Sequence, residues 1–235
     1  MLIGLIQSAA NNGLVHYNAL NSVVKNMANY TTTGYKAERF DLYLDGLNAL
    51  KGGVQNDTSA GQAELTQNEF DLALKNPNAY FMVTRSDGSQ AYTKDGRFRL
   101  NRDRILVTQE GDIVGQGLQI PQEYENFLVS PTGEVSIKTK EKSYKKVLGQ
   151  LSIARFSNPA GLVKTSRNQL LPSQESGTPT LEEKPEIMQG ALERSNVDLY
   201  DEVHNSMRIN AGVITNMRLV KLMDELLSQA IRIRQ

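Results

Sequence analysis

Residues 1–29 read MLIGLIQSAANNGLVHYNALNSVVKNMAN, and the rhythm of this stretch decides the fold. No proline interrupts it. Apolar or small residues fall at Ile3, Ile6, Ala10, Gly13, Tyr17, Leu20, Val24 and Met27, in alternating steps of three and four. That spacing is the pattern of a helix showing one narrow stripe to a partner helix. Ala10 and Gly13 are small enough for close approach. The helix is predicted to stop at Thr31-Thr32-Thr33-Gly34, a β-branched run followed by glycine.

The other end repeats the rhythm. Residues 196–235 also lack proline, and Val203, Met207, Asn210, Ile214, Met217, Val220, Met223, Leu227 and Ile231 follow steps of three and four. Ser195 or Asn196 is predicted to cap this second helix. Arg232 and Arg234 suit its negative end. Gly212 is a weak point, costing about 1 kcal/mol relative to alanine in a helix interior.

Between the helices, residues 64–172 read as β. Tyr80-Phe81-Met82-Val83 precedes a turn at Ser86-Asp87-Gly88-Ser89, and Asp95-Gly96 makes another before Arg97. Short strands with glycine-containing turns at this spacing predict a meander. Lys51 to Gly61 and Ser173 to Pro185 are polar and read as linkers.

The predicted architecture is therefore α+β. Long N- and C-terminal helices pair with each other as an antiparallel coiled coil, around a central mainly-β domain. Residues 1–30 with 197–235 form a helical core, 31–75 with 172–196 an extended linker region, and 76–171 the β domain. A single helix pair would leave Leu2, Leu5, Ala9 and Leu14 of one helix and Leu219, Leu222 and Leu226 of the other outside, and exposed apolar strips of that kind mark further association. If each subunit docks on the next through different patches, the contact builds a helical filament.

Composition narrows the function. The 235 residues hold 26 basic and 26 acidic side chains, no cysteine and no tryptophan. Nothing suggests a nucleic-acid partner, which needs a basic excess. Disulfides, thiolate zinc sites and cysteine nucleophiles are excluded. No cleavable signal is expected, because no Lys or Arg precedes the apolar start and Asn11-Asn12 breaks it. No apolar run approaches the roughly 20 residues of a membrane span.

Catalytic candidates are weak. His16 and His204 are the only histidines, each without a converging ligand. Gly111, Gly115 and Gly117 do not make a phosphate loop. A hydrolase acting on wall glycan would need two converging carboxylates, and Glu110 and Asp112 sit together in a turn. A soluble coiled-coil adaptor is the other alternative. The expectation is no enzyme, no cofactor, no metal and no small-molecule substrate.

The motifs carry a resemblance. Asn26, Ala28, Asn29, Thr32, Gly34, Tyr35 and Lys36 resemble the N-terminal signature of the flagellar rod and hook proteins, with Lys25 and Thr31 where asparagine is usual. Gly190, Glu193, Ser195, Asn196 and Val197, followed by Asp198, resemble the signature that opens that family's last helix. In between, Phe70–Leu74 with Tyr80–Val83, Tyr92–Phe98 and Ala154–Leu162 are similar to its central motifs. Asn76 and Asn78 replace common glycines, Lys94 replaces an arginine, and Ala211, Val213 and Ile214 depart in mid-helix. The short stretch between Lys36 and Asp71 is more similar to proximal-rod than to distal-rod members.

The resemblance implies a structural subunit that polymerises into the periplasmic drive shaft of the flagellum. It implies export through the flagellar type III apparatus without a cleaved signal, and partners that are itself and other proximal and distal rod proteins. Turn chemistry reads Asn26, Asn29 and Gly34 two ways: as a bare helix exit, or as a fixed turn that aims the linker and contacts a neighbouring subunit. Glu193, Ser195 and Asn196 are read two ways: as a plain helix start, or as a dock for the N-terminal motif.

Overall fold

The structure, a computed structural model, describes residues 2–44, 50–139 and 142–233. It divides into two compact units. One holds residues 1–28, 38–55 and 198–235; the other holds 29–37 and 56–197.

The first unit contains helix α1, Leu2–Ala28, and helix α2, Leu199–Ile233. It also contains an antiparallel ribbon, Glu38–Leu44 with Leu50–Asn56. Lys51–Asn56, expected as part of a polar linker, is therefore largely strand. The residue Asp198 caps α2, its carboxylate accepting the amides of Tyr200 at 2.8 Å and Asp201 at 3.3 Å. Neither Ser195 nor Asn196 does this. Asp201 and Glu202 in the first turn complement the positive end of the helix dipole.

The coiled coil expected between the terminal helices is not formed. On α1, Tyr17 is 67% exposed and Val24 55% exposed, and Ala10 is exposed too. On α2, Val203, Met207, Asn210, Ile214, Met217 and Val220 are all exposed. Gly13, Leu20, Met27, Met223 and Leu227 are only half-buried. The side chains of Ile3, Ile6 and Ile231 lie outside those described. What α1 buries instead is Ala9, Val15, Ala19, Ser22, Val23 and Asn26, a face turned by roughly one residue, about 100°.

The physical reason is polar. The α1 face meets Glu202, Ile209, Gly212 and Asn216 of α2, and the contact runs antiparallel along a surface of small and hydrogen-bonding residues. Asn216 Nδ2 donates to Ala9 O at 2.9 Å. His16 lies against Gly212, where a β-carbon would sit 2.8 Å from its ring. Ala19, Val23 and Ile209 supply the apolar contact. Leaving such amides unpaired would cost about 1–3 kcal/mol each, which outweighs one more buried methyl group. The result is α+β, with one helix at each end and a mostly β middle.

In the second unit the strand Ala79–Thr84 is central. One edge pairs with Gln90–Thr93. The other is shared, Ile153–Arg155 taking Ala79 to Phe81 and Ile113–Val114 taking Val83 and Thr84. The tight turn before Gln90 is closed by Gly88, whose φ of +81° favours glycine. Both faces of the central strand are covered. Ala79, Phe81 and Val83 enter a core with Leu72, Phe98, Phe127, Ile137 and Ile153. Tyr80 enters a second cluster with Tyr92, Phe156, Leu162 and Leu170. The Phe81 and Phe98 rings meet edge-on at 5.0 Å. Each buried aliphatic or aromatic side chain contributes about 1.5–3 kcal/mol.

A three-stranded antiparallel sheet, Asn126–Val129, Glu134–Thr139 and Lys142–Gln150, packs on the first of these cores through Phe127, Val135 and Ile137. Two short ladders bring the late part of the chain back to the early part. Ile187–Gln189 pairs with Leu72–Leu74, and Ala191–Glu193 with Ala63–Leu65.

Candidate functional site

The candidate site is the place where the residues of the two signature motifs are fixed. In the first unit it is centred on Asn26, which is almost wholly buried. Its Nδ2 donates to Glu38 O and to Glu202 Oε1, both at 2.8 Å, and its Oδ1 accepts Glu38 N at 2.8 Å. One amide thus reads both backbone groups of Glu38 and a carboxylate of α2. Burial raises the Glu202 carboxyl above its ordinary value, the Asn26 hydrogen bond pulls it down, and neighbouring Asp201 raises it again. Ala28 is the last residue of α1.

In the second unit, residues 29–37 lie beside the strand Ala191–Glu193 and the residues after it. Thr32 closes a turn on Asn29, with Thr32 N donating to Asn29 O at 3.0 Å and Thr32 Oγ1 to Asn29 Oδ1 at 3.1 Å. Gly34 then has φ +66°, and a β-carbon there would lie 2.6 Å from Lys94 O. Both the conformation and the space require glycine. That close approach lets Gly34 N donate to Glu193 O at 2.7 Å. Tyr35 is buried, with Lys164 Nζ 4.4 Å from its ring centre.

Lys36 and Glu193 form the heart of the junction. Lys36 Nζ is 2.6 Å from Glu193 Oε1, and both side chains are about 95% buried. Lys36 also donates to Ser59 O at 2.6 Å, and Gly61 N donates to Glu193 Oε1 at 2.8 Å. A second ammonium, Lys94 Nζ, stands 3.6 Å from Glu193 Oε2 and donates to Asn76 O at 2.7 Å. Among the described residues no hydrogen bond reaches Oε2 itself. Two buried cations therefore share one buried carboxylate. Burial pushes the Lys94 ammonium down to about 8, with Glu193 opposing and Lys36 reinforcing the shift. Burial raises the Tyr80 phenol as well, with Glu193 adding to the effect.

Asn196 is the second tie. Its Oδ1 accepts Ala37 N at 2.7 Å, and its Nδ2 donates to Asp57 O and Ser59 O, both at 3.2 Å. Ala37 O in turn accepts Asp57 N at 2.8 Å. Ser195 Oγ accepts Val197 N at 3.2 Å. Gly190, at φ +71°, turns the chain between its two short strands, and its N donates to Asp71 O at 2.8 Å.

Within the second unit, the motif residues from Asn29 to Lys36 thus meet those from Gly190 to Val197, while Asn26 is tied separately within the first unit and the helical stripes do not pair. Lys94, Gly61, Ser59 and Asn76 complete the junction, although the sequence did not mark them as site residues. The sequence signal for Lys94 was its place in the Tyr92–Phe98 motif, just before Asp95-Gly96. The carboxylates considered for hydrolysis do not converge, because Asp112 is buried against Gln169 and Glu110 is exposed. His204 packs on Tyr200, 4.9 Å between ring centres. Among the described residues no group of three or more His, Cys, Asp or Glu is placed to hold a metal, and no helix is long and apolar enough to cross a membrane.

Residues 76–137 match the family described as the flagellar hook protein FlgE/F/G D1 domain. Residues 188–233 match the flagellar basal body rod FlgEFG protein C-terminal family. The chain is 30% identical to the flagellar basal-body rod protein FlgG of Bacillus subtilis, over 81% of this chain and 75% of the relative. It is 29% identical to FlgG of Agrobacterium fabrum, over 89% and 91%. It is also 29% identical to the flagellar basal-body rod protein FlgF of Caulobacter vibrioides, over 87% and 86%. Identity at this level does not separate the two kinds of rod protein. With a relative 30% identical and matched over three quarters of its length, the chain belongs to the flagellar basal-body rod protein family.

Proposed function

We propose that the chain is a subunit that polymerises into the rod of the flagellar basal body, contacting copies of itself and other rod proteins through its terminal helices. The observation that carries this is the apolar surface left on those helices. Tyr17, Val24, Met207, Ile214, Met217 and Leu222 are each at least half exposed. A helix surface of that kind is stable in water only when something covers it. The signature residues fix the other part of the design. Asn26 holds the exit of α1, while Lys36, Glu193 and Asn196 hold the stem of the β unit. Torque passed along a rod needs such stems to be stiff.

The finer readings follow the same line. The rod lies in the periplasm, and the chain reaches it through the flagellar type III apparatus. The short segment between Lys36 and Asp71 favours a proximal-rod position. Negative-stain microscopy and sedimentation of the full chain at rising concentration test the proposal, beside the double variant Ile214→Glu with Met217→Glu. Filaments or ordered oligomers from the parent, lost in a variant with unchanged circular dichroism, are expected. A variant that assembles like its parent removes the helical stripes from the contact.

A further inference from the structure

The three-stranded sheet has two unlike edges. The outer side of Asn126–Val129 is closed by side chains: Glu69 accepts Phe127 N, while Gln189 donates to Phe127 O and accepts Val129 N. The opposite edge strand, Lys142–Gln150, pairs only with Glu134–Thr139 among the described residues. Open edges of this length invite pairing with another chain. This one is basic: its sequence holds three lysines, Lys142, Lys145 and Lys146, and no acidic residue. Lys145 stands directly across from Lys138, and each leans on an exposed carboxylate, Glu134 at 2.8 Å and Glu125 at 3.9 Å. Lys146 and Val147 are exposed beside them.

The sheet built on Ala79–Thr84 ends in the opposite sign. Its strand Thr180–Leu181 pairs only with Ile153–Arg155 among the described residues, and Leu181 is 70% exposed. Residues 175–186 hold four glutamates against one lysine, and Glu183 and Glu186 are exposed. The lysine edge repels its own image, so a two-fold contact between identical edges is disfavoured. The acidic edge is the complementary surface on the same molecule.

We propose that the lysine edge of one copy docks on the acidic edge around Glu182 and Glu183 of the next copy. This rests on reading the chain as a rod subunit and adds an outer contact to it. Because the two patches differ, the contact is head-to-tail and does not close, which is the geometry of a filament. It is electrostatic and exposed, so it sets orientation and association rate and weakens with salt.

The test uses the full chain and two charge reversals, Lys145→Glu with Lys146→Glu and Glu182→Lys with Glu183→Lys, read by light scattering and sedimentation velocity. Each reversal alone is expected to lower the apparent association constant about tenfold at low salt, and the difference to fade near 0.5 M salt. Combining both reversals in one chain, or mixing the two variants, restores association. Reversals that assemble like a parent that does assemble overturn this contact and leave the rod reading standing. Loss from the lysine reversal alone, with no rescue by the swap, overturns it in favour of an anionic polymer as the partner. A parent that stays monomeric at every concentration removes the premise of both readings.

Discussion

Replacing Glu193 by glutamine keeps the shape of the junction and removes its only negative charge. In the parent, Glu193 Oε1 is held by Lys36 Nζ at 2.6 Å and Gly61 N at 2.8 Å, and Oε2 faces Lys94 Nζ at 3.6 Å. Glu193→Gln leaves two buried ammonium groups with no counter-charge. Breaking a buried pair by removing one partner costs about 3–5 kcal/mol. The pH dependence separates charge from packing. Lys94 is held down to about 8 from an ordinary 10.5. Below pH 8 its charged form costs the folded state about 3 kcal/mol, and this penalty fades as pH rises from 8 toward 10.5. Parent stability should therefore rise between pH 7 and 9.5 through this group. In Glu193→Gln the lysine loses its only favourable charge, so its folded value drops further and the penalty at pH 6 deepens. At pH 9.5 Lys94 is mostly neutral in both folded proteins. The difference between them should then shrink to what Lys36 alone contributes. Urea unfolding followed by circular dichroism measures this, since the chain has nine tyrosines and no tryptophan. A loss under about 1 kcal/mol at pH 6, or an equal loss at both pH values, would refute the electrostatic account of the junction.

Other substitutions probe the remaining ties. Asn26→Ala strips partners from Glu38 N, Glu38 O and Glu202, and should cost about 2–4 kcal/mol in thermal unfolding of the helical unit. Gly34→Ala meets Lys94 O at 2.6 Å as well as a left-handed backbone, and should cost at least about 3 kcal/mol. Gly88→Ala, at φ +81° with open space around it, pays only the backbone cost of about 1–2 kcal/mol, and similar losses at the two sites would contradict the close-approach argument. Gly212→Ala gains about 1 kcal/mol of helix propensity but presses on His16, so its net effect should be near zero. Adding His16→Ala should bring the gain out, as a rise in melting temperature.

Much of this molecule was legible in its residues. The first helix ends close to where Thr31–Gly34 places its stop, the second begins a few residues past the expected caps, and the Asp87-Gly88 turn closes a hairpin. The motifs located Asn26, Lys36, Glu193 and Asn196. What they could not give was which face of each helix is inside. Counting apolar heptad positions selects Tyr17, Val24, Met207 and Ile214. The structure instead buries Asn26 and Glu202 and half-buries Gly212 and Asn216, because hydrogen bonds and a glycine notch fit together there. A face built from small and polar side chains leaves no mark in hydropathy. Lys51–Asn56 was hidden for a related reason. Gly52 lies against the Phe40 ring, a contact between positions twelve residues apart, and its neighbours carry little β-propensity.

Asn196 has one more consequence. Its side chain ties Ala37 and Asp57, and Ala37 binds Asp57 directly, so the chain is pinned just before and just after the ribbon segment between them. That excursion stands on clamped feet. Lengthening or shortening it changes the closure entropy only slowly, about 0.6 kcal/mol per doubling. The ribbon is therefore a graft point: evolution, or an engineer, can exchange it for a longer or stiffer one and keep the same stem.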